Sequence, residues 1–496
     1  MEHHNSVISR EKPSGSLFGF STKEVMTESK KQLFLGTPII VTTLMAFLLQ
    51  TVSTILVGHL GTIPLAAASM AISFTSVTGF AVLKGMVGAL DTFCGQSYGI
   101  KDYKMLGIHM QTAALALLLA SVFVSAIWAN AGTILSQIGV SPSVSSEAGR
   151  YSRLMIPSVF GYPIQISLVS FLQSQRIVKP IMIISAITIV GHCIWSFFLV
   201  LKSSYGTGGA AIGFVITVWF NTFMLLVYVG ISSSCKNTRV GFSREAVNGI
   251  PAFMRLAFPS AVMFCLEFWS FETTVLLSAF LPNPVLETAA LSICFNTVAV
   301  IFMIPLGFSS ATSTLVSNEL GAGNPRAARL AVVTSLLLVV LVSLVVAAAV
   351  IAGRGFLVRL FSSDSALNKY VPKLLILVGI CHIMDAAQCI LSGVCRGSGK
   401  QKYGAIVNLL AYYVFGIPLG VILAFKLHLG GRGFWIGIIV AVSIQTIGMG
   451  WVTFRTNWER EAKRVKERNL HRIGDDDALG GRCIEGQERD QLEIDA

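Results

Sequence analysis

The stretch LAVVTSLLLVVLVSLVVAAAVIA occupies residues 330–352 and contains no charged side chain. A helix needs about 20 consecutive apolar residues to cross the roughly 30 Å hydrocarbon core of a bilayer. The stretch lacks the polar and apolar alternation of a barrel strand, and only helices and closed barrels satisfy their backbone hydrogen bonds in lipid. Residues 330–352 therefore predict a transmembrane helix.

Eleven further apolar runs resemble this one, and a polar segment at 232–249 divides the twelve into two groups of six. The other runs lie at about 34–57, 64–94, 106–130, 154–173, 180–201, 209–231, 252–281, 287–316, 374–394, 403–425 and 433–454. Charged residues make up 12% of the chain, about half the share in soluble proteins. We predict an all-α polytopic membrane protein with twelve transmembrane helices.

The basic residues indicate the orientation of the chain. Of 496 residues, 37 are Lys or Arg and 25 are Asp or Glu, so the net charge is +12. Loops on the side of the N-terminus carry 12 Lys and Arg against 9 on the other side, and the two tails add 14 more. The positive-inside rule then predicts cytoplasmic termini. It also explains the basic charge through the lipid bilayer, with no nucleic acid as partner.

The composition divides the chain into five predicted regions. These are a cytoplasmic tail (1–32), an N-lobe (33–231), a cytoplasmic linker (232–249), a C-lobe (250–454) and a second cytoplasmic tail (455–496). In the second tail, Trp458, Ala462 and Val465 form a weakly amphipathic pattern. Such a segment either lies on the membrane surface or is a solvated charged tail.

The two groups of six repeat each other. A shift of 222 positions aligns residues 89–99 (ALDTFCGQSYG) with 311–321 (ATSTLVSNELG), and Ser170 with Ser392. Because six is even, the two halves have the same orientation in the membrane and are related by an axis along its normal. We expect two pseudo-symmetric six-helix lobes around a central cleft.

Ionisable side chains inside spans are expensive, so each is a candidate functional residue. Span 7 contains Glu267 and Glu272, and span 10 places His382, Asp385 and Gln388 on one helical face. Removal from water disfavours the charged carboxylate, so Glu267 and Asp385 are candidates to gain and lose a proton. The alternative is a hydrogen-bonded network that only holds the helices together, and Glu272 is open to the same alternative.

Further candidates lie in both groups of spans. Trp269, Phe271 and Tyr412, together with His382 and Gln388, are candidates to line a substrate cavity, although such aromatic residues are often core. In the first group the candidates are Gln50, Lys84 and Asp91. Asp91 lies close to the end of span 2, where it could instead anchor a loop, and Lys84 has no sequence-based explanation. The chain shows no set of nucleophile, base and metal ligands, so we expect neither an enzyme nor a cofactor.

Five motifs carry a family resemblance. They are VGHLG at 57–61, ALDTFCGQ at 89–96, CLEFWSFE at 265–272, NELGAGN at 318–324 and LSGVCRG at 391–397. On these motifs, residues 33–454 resemble plant members of the multidrug and toxic compound extrusion (MATE) family. The resemblance implies two six-helix lobes around a V-shaped cleft. It also implies efflux of organic solutes in exchange for a cation, usually H⁺ in plants.

The resemblance also implies roles for residues. Glu267 and Asp385 match the acids of the cation and proton site, Asn296 lies near it, and the role of Glu272 is less defined. Some bacterial relatives work through an aspartate in span 1. That aspartate has no counterpart here, where the span offers only Gln50 and Ser53. Family members usually have a small or apolar residue before the glycine of this segment, and Lys84 departs from that pattern.

Together these observations predict a proton-coupled antiporter that exports amphipathic or cationic organic compounds, such as xenobiotics and secondary metabolites. We expect H⁺ rather than Na⁺ as the coupling ion, a monomer, and the plasma membrane or the vacuolar membrane as location. One alternative is a carrier of organic anions or glycosylated metabolites, for which Lys84 is the only deep basic candidate. Another is a flippase for lipid-linked substrates.

Overall fold

The computed structural model describes residues 19–361 and 363–467; the remainders of the two predicted tails, 1–18 and 468–496, lie outside the described residues. Within those ranges, twelve helices are long and apolar enough to span a membrane, as the sequence predicts. They are α1 (Thr22–Gly58), α2 (Thr62–Ile100), α3 (Tyr103–Ala129), α4 (Pro142–Ser174), α5 (Lys179–Lys202), α6 (Thr207–Ile231), α7 (Ile250–Ser278), α8 (Pro284–Gly321), α9 (Pro325–Phe361), α10 (Ser365–Ser398), α11 (Gln401–Lys426) and α12 (Gly431–Phe454).

Helix α1 begins well before its apolar run because its first turn is capped. The Ser21 amide donates to the Glu24 carboxylate at 2.8 Å, and the Glu24 amide donates to the Ser21 hydroxyl at 3.2 Å. This reciprocal pair satisfies two donors that a helix start otherwise leaves unpaired. Further along, Gln32 Nε2 donates to the carbonyl of Ala331 on α9 at 2.8 Å. Part of the predicted tail 1–32 is therefore helical and fastened to the C-lobe.

The repeat is visible in the helix boundaries. Helices α2 and α8 begin 222 residues apart, and so do α5 and α11. The ends of α2 and α8 meet because their glycines carry no side chain: a Cβ on Gly99 would lie 2.1 Å from the Asn318 carbonyl, and one on Gly321 would lie 2.3 Å from the Gln96 carbonyl. The lobes therefore touch on the face of the bundle where α1 begins and α12 ends. We name it the terminal face.

Helix α7 packs on both lobes. Its first turns place Phe253, Ala257 and Ala261 in the hydrophobic core of the N-lobe. A Cβ on Gly85 of α2 would lie 2.6 Å from the Ala261 Cα. Further along, Phe271 packs against the core of the C-lobe. A shift of α7 is therefore felt in both lobes.

The described part of the second tail forms a helix at 458–467. Trp458 and Ala462 pack in a cluster with Leu35 of α1 and Leu315 of α8, and Val465 is buried. The apolar side of this helix therefore faces the protein. The sequence left two alternatives for this segment, a helix on the membrane surface or a solvated tail. The structure shows neither. The surface that the helix packs on comes from α1 and α8, which are far away in the sequence.

Candidate functional site

The two predicted acids of the C-lobe share one amide. Gln388 Nε2 donates to Glu267 Oε1 and to Asp385 Oδ1, both at 2.9 Å. Asp385 and Gln388 are buried, and Glu267 is half-buried. Because Asp385 and Gln388 are three residues apart on α10, they lie on one helical face that meets α7 at Glu267. The polar face of α10 therefore points into the bundle interior.

A second amide completes the network from α12. Gln445 Nε2 donates to Glu267 Oε2 at 3.0 Å and to Asn408 Oδ1 at 2.9 Å, while the Tyr412 hydroxyl donates to Gln445 Oε1 at 2.8 Å. Gln445 is not among the candidate residues singled out from the sequence. The sequence does contain an indication of its role, since a long amide side chain in the apolar run 433–454 needs a polar partner in the bundle interior.

Within the described part of the chain, the acid pair forms no direct ion pair with a basic side chain. Across the described ranges, no Lys, Arg or His nitrogen lies within 4 Å of either carboxylate among the ion pairs of the structure. Beside Tyr412 there is only a small cavity of about 10 Å³. Two carboxylates held this close repel each other when both are charged, so the geometry is compatible with the predicted binding of a proton or a small cation.

Other predicted C-lobe residues lie around this network. His382 is buried, and among the described residues neither of its ring nitrogens has a hydrogen-bond partner. Asn296 is exposed and donates to the Ser292 carbonyl of its own helix at 2.9 Å, so this bond does not join it to the acids. The ring of Phe271 lies 6.2 Å from that of Tyr412.

Trp269 and Glu272 reach across to the N-lobe. Trp269 Nε1 donates to the Val77 carbonyl at 3.1 Å, and the Ser73 hydroxyl donates to Glu272 Oε2 at 3.1 Å. Val77 belongs to a π-helical turn, Ser76–Phe80, inside α2; such turns are frequent at functional sites. These two side chains therefore link α7 to α2 and are separate from the Glu267 and Asp385 pair.

A cavity of about 310 Å³, which we name the N-lobe cavity, is lined mainly by N-lobe residues, including Gln50 and Lys84, and by Leu306 and Ser310 of α8. Phe80 lies on its wall at the centre of an aromatic cluster, with ring centroids 4.9 Å from Tyr162 and 5.7 Å from Phe214. The wall thus combines polar and apolar groups, and its volume exceeds that of the small C-lobe cavity by far.

Asp91 joins the two lobes, so the expectation that it could anchor a loop is wrong. It accepts from the Ser170 hydroxyl at 2.7 Å, and its Oδ2 lies 3.6 Å from Arg396 Nε on α10. Ser313 of α8 approaches the same carboxylate at 3.5 Å. Ser170 belongs to the N-lobe, whereas Arg396 and Ser313 belong to helices of the C-lobe, and sequence position alone does not reveal this contact between the lobes.

A sequence profile named MatE matches residues 38–198 and 259–422, one segment in each lobe. The chain belongs to the MATE family. It is 49% identical to Protein DETOXIFICATION 16 of Arabidopsis thaliana over 90% of this chain and 91% of the relative. Protein DETOXIFICATION 17 of the same plant is 46% identical, over 92% and 95%.

Solved structures agree with this assignment. The crystal structure of the eukaryotic MATE transporter AtDTX14 superposes with a TM-score of 0.87 at 41% identity, covering 90% of this chain and 99% of that one. A transporter of the MOP superfamily from Pyrococcus furiosus shares the fold, with a TM-score of 0.77 at 16% identity over 90% and 99%. This MATE protein is therefore a multi-pass membrane protein and a secondary transporter, not an enzyme.

Proposed function

We propose that the chain is a proton-coupled antiporter in which Glu267 and Asp385 carry the proton and the N-lobe cavity holds an amphipathic organic substrate. The observation that supports this most is the single Gln388 amide that bridges two carboxyl groups without a counter-ion. Amide N–H donors, rather than oxygen atoms, surround Glu267. Hard metal cations are held by oxygen ligands, so this arrangement favours H⁺ over Na⁺.

Protonation changes what the network can hold. Each oxygen of Glu267 accepts one amide hydrogen in the unprotonated state. A proton on this carboxyl adds a donor and reduces its acceptor capacity, so the hydrogen bonds that Gln388 and Gln445 make with it must rearrange. Because a buried polar group without a partner is costly, the side chains and α7 move together.

Helix α7 carries this movement to the N-lobe. Trp269 and Glu272 lie within two turns of Glu267 and bind α2 through Val77 and Ser73. The same part of α2 supplies Phe80 and Lys84 to the cavity. Uptake of a proton in one lobe therefore alters the wall of the substrate cavity in the other.

The lobes are in contact on the terminal face, which the excess of basic residues assigns to the cytoplasm. The substrate then leaves toward the opposite side, across the plasma membrane or the vacuolar membrane, and a monomer suffices for this cycle. One pH unit supplies about 1.4 kcal/mol per proton, and 100 mV adds about 2.3 kcal/mol per charge. Either is enough to concentrate a solute roughly tenfold.

The test uses proteoliposomes with an acidic interior, or separately a Na⁺ gradient. Uptake is followed for three labelled naphthalene compounds with a permanent negative charge, no charge or a permanent positive charge, so that the result does not depend on the charge of the substrate. We expect uptake of at least one compound with the pH gradient alone. Glu267→Gln and Asp385→Asn should each abolish it.

The matched control is Glu245→Gln, because Glu245 is an exposed acid that pairs with Lys104 outside both sites. This variant should transport as the wild type does. Uptake driven by Na⁺ alone, or full activity of both acid variants, would contradict proton coupling through this pair.

A further inference from the structure

Lys84 is the feature of the N-lobe that the proposed proton chemistry leaves unused. It lies midway along α2, and its side chain is exposed to the 310 Å³ cavity. A lysine at this depth is expensive to keep charged in a membrane protein. Its position on the cavity wall points to a role in binding the ligand that occupies the cavity.

No acid neutralises Lys84. Within the described residues, no carboxylate oxygen lies within 4 Å of its Nζ among the ion pairs, and the cavity wall contains no Asp or Glu. Asp91 is seven residues further on the same helical face, about 10 Å along the axis. Asp91 is already bound by Arg396 and Ser170. Among the described residues the Lys84 amino group therefore faces the cavity without an ion-pair partner, and an anionic ligand would stabilise its charged form.

The neighbouring charges do not offset that of Lys84. The smaller adjoining space is lined by Lys84, Arg396 and Asp91, and because Arg396 pairs with Asp91, the net positive charge there is that of Lys84. A cationic ligand in the cavity would meet that charge in a region of low dielectric, where like charges repel strongly. An anionic group would instead be attracted and would accept a charge-assisted hydrogen bond from the ammonium.

The rest of the wall suits an organic body with further polar groups. Gln165 donates to Asn221 at 2.9 Å, and Asn221 donates to Thr188 at 2.9 Å, so one side carries an ordered chain of amides and a hydroxyl. Phe80 and Phe214 provide aromatic surface on the wall. A compound with a flat apolar body and one anionic group matches both.

We propose that the N-lobe cavity selects organic anions, and that Lys84 is the residue that binds their carboxylate, sulfonate or similar group. This assigns the substrate class of the proposed antiporter and favours the organic-anion alternative over the cationic compounds expected from the sequence. It rests on the proposed function only for the transport step. Binding itself does not require proton coupling.

The experiment measures equilibrium binding to purified full-length protein in nanodiscs. The probes are naphthalene-2-sulfonate, naphthalene-2-carboxamide and (naphthalen-2-ylmethyl)trimethylammonium, which share one ring system and differ in charge. We expect the sulfonate to bind about tenfold more tightly than the trimethylammonium compound, the factor that one charge-assisted hydrogen bond supplies.

Lys84→Met keeps the unbranched stem and removes the charge, so it should weaken sulfonate binding about tenfold and leave carboxamide binding unchanged. Lys84→Arg should retain sulfonate binding. Lys402→Met, at an exposed lysine on α11, serves as the matched control and should bind all three probes as the wild type does.

The comparison of the three probes on the wild type stands even if a variant fails to fold. Tighter binding of the trimethylammonium compound, absence of sulfonate binding to the wild type, or unchanged sulfonate affinity in Lys84→Met would overturn the inference. Sulfonate binding that persists in Glu267→Gln, while transport is lost, would separate this inference from proton coupling. If the pH gradient drives no transport in the wild type but sulfonate binding still depends on Lys84, proton coupling alone is contradicted.

Discussion

The two lobes share one helical plan and differ in their chemistry. The C-lobe joins two carboxyl groups through the Gln388 amide and leaves about 10 Å³ beside Tyr412. The N-lobe encloses about 310 Å³ and places one lysine and no acid on the wall. In the repeat, Glu267 matches Ala46 at a shift of 221 positions and Asp385 matches Pro163 at a shift of 222, so neither acid has an acidic counterpart in the N-lobe.

A duplicated fold can keep one backbone plan while the interior side chains of its two halves differ. The backbone pattern repeats because both halves must cross the same bilayer. Side chains in the interior are free to diverge, as long as each polar group finds a partner. In the function proposed above, one lobe binds a proton and the other an organic ligand, while α7 contacts both lobes.

Apart from substitution of the two acids themselves, the largest expected effect comes from removing the bridging amide of Gln388. Gln388→Met has a similar volume but offers no donor to Glu267 or Asp385, so the acids lose their shared hydrogen bonds. We expect the rate of pH-driven exchange to fall about a hundredfold, or roughly 2.7 kcal/mol in activation free energy. Initial rates in proteoliposomes measure this, and binding of naphthalene-2-sulfonate should stay unchanged.

The same substitution in the other lobe is the control. Gln165→Met removes the donor to Asn221 on the cavity side, so it should weaken ligand binding by a few-fold, as the loss of one neutral hydrogen bond does. At saturating ligand, the pH gradient should still drive transport in the Gln165→Met variant. Equal effects of Gln165→Met and Gln388→Met on both readouts would show that the two lobes do not divide these tasks.

A smaller effect is expected where the lobes join. Arg396→Met leaves Asp91 without its cation, and the two side chains are 15% and 22% exposed. The full cost of breaking a buried pair is reduced here by water and by the bonds from Ser170 and Ser313, so we expect about 1–2 kcal/mol. A double-mutant cycle with Asp91→Asn, followed by thermal unfolding, measures the coupling. Additive changes would contradict a direct interaction.

The smallest effect is expected at the contact between α7 and α2. Glu272→Gln can still accept from the Ser73 hydroxyl, so transport should change by a factor of about three or less. Ser73→Ala, which removes the donor, is the matched comparison. If Glu272→Gln abolishes exchange as Glu267→Gln should, the proton site extends across the lobe boundary and the contrast between the lobes is weaker than described.

The sequence predicted the twelve helices, and it singled out Glu267 and Asp385 because a carboxyl group in an apolar run is rare. The structure places both acids on the amide of Gln388. Gln445 also stands in an apolar run, but the partners of Gln445 and Arg396 could not be predicted, because they lie on helices far away in the chain. The bond of Asn296 within its own helix was equally invisible, since it depends on the rotation of α8.

The sequence by itself determined which segments cross the membrane, that they repeat, and that the acids belong to the second lobe. Each of these depends on hydropathy and residue type within about 20 neighbouring positions. Only the tertiary structure decided that one amide joins Glu267 to Asp385, that Asp91 ties the lobes together, and that Lys84 faces a cavity without an acid. Those contacts depend on how helices rotate and pack against segments distant in sequence, which local composition does not specify.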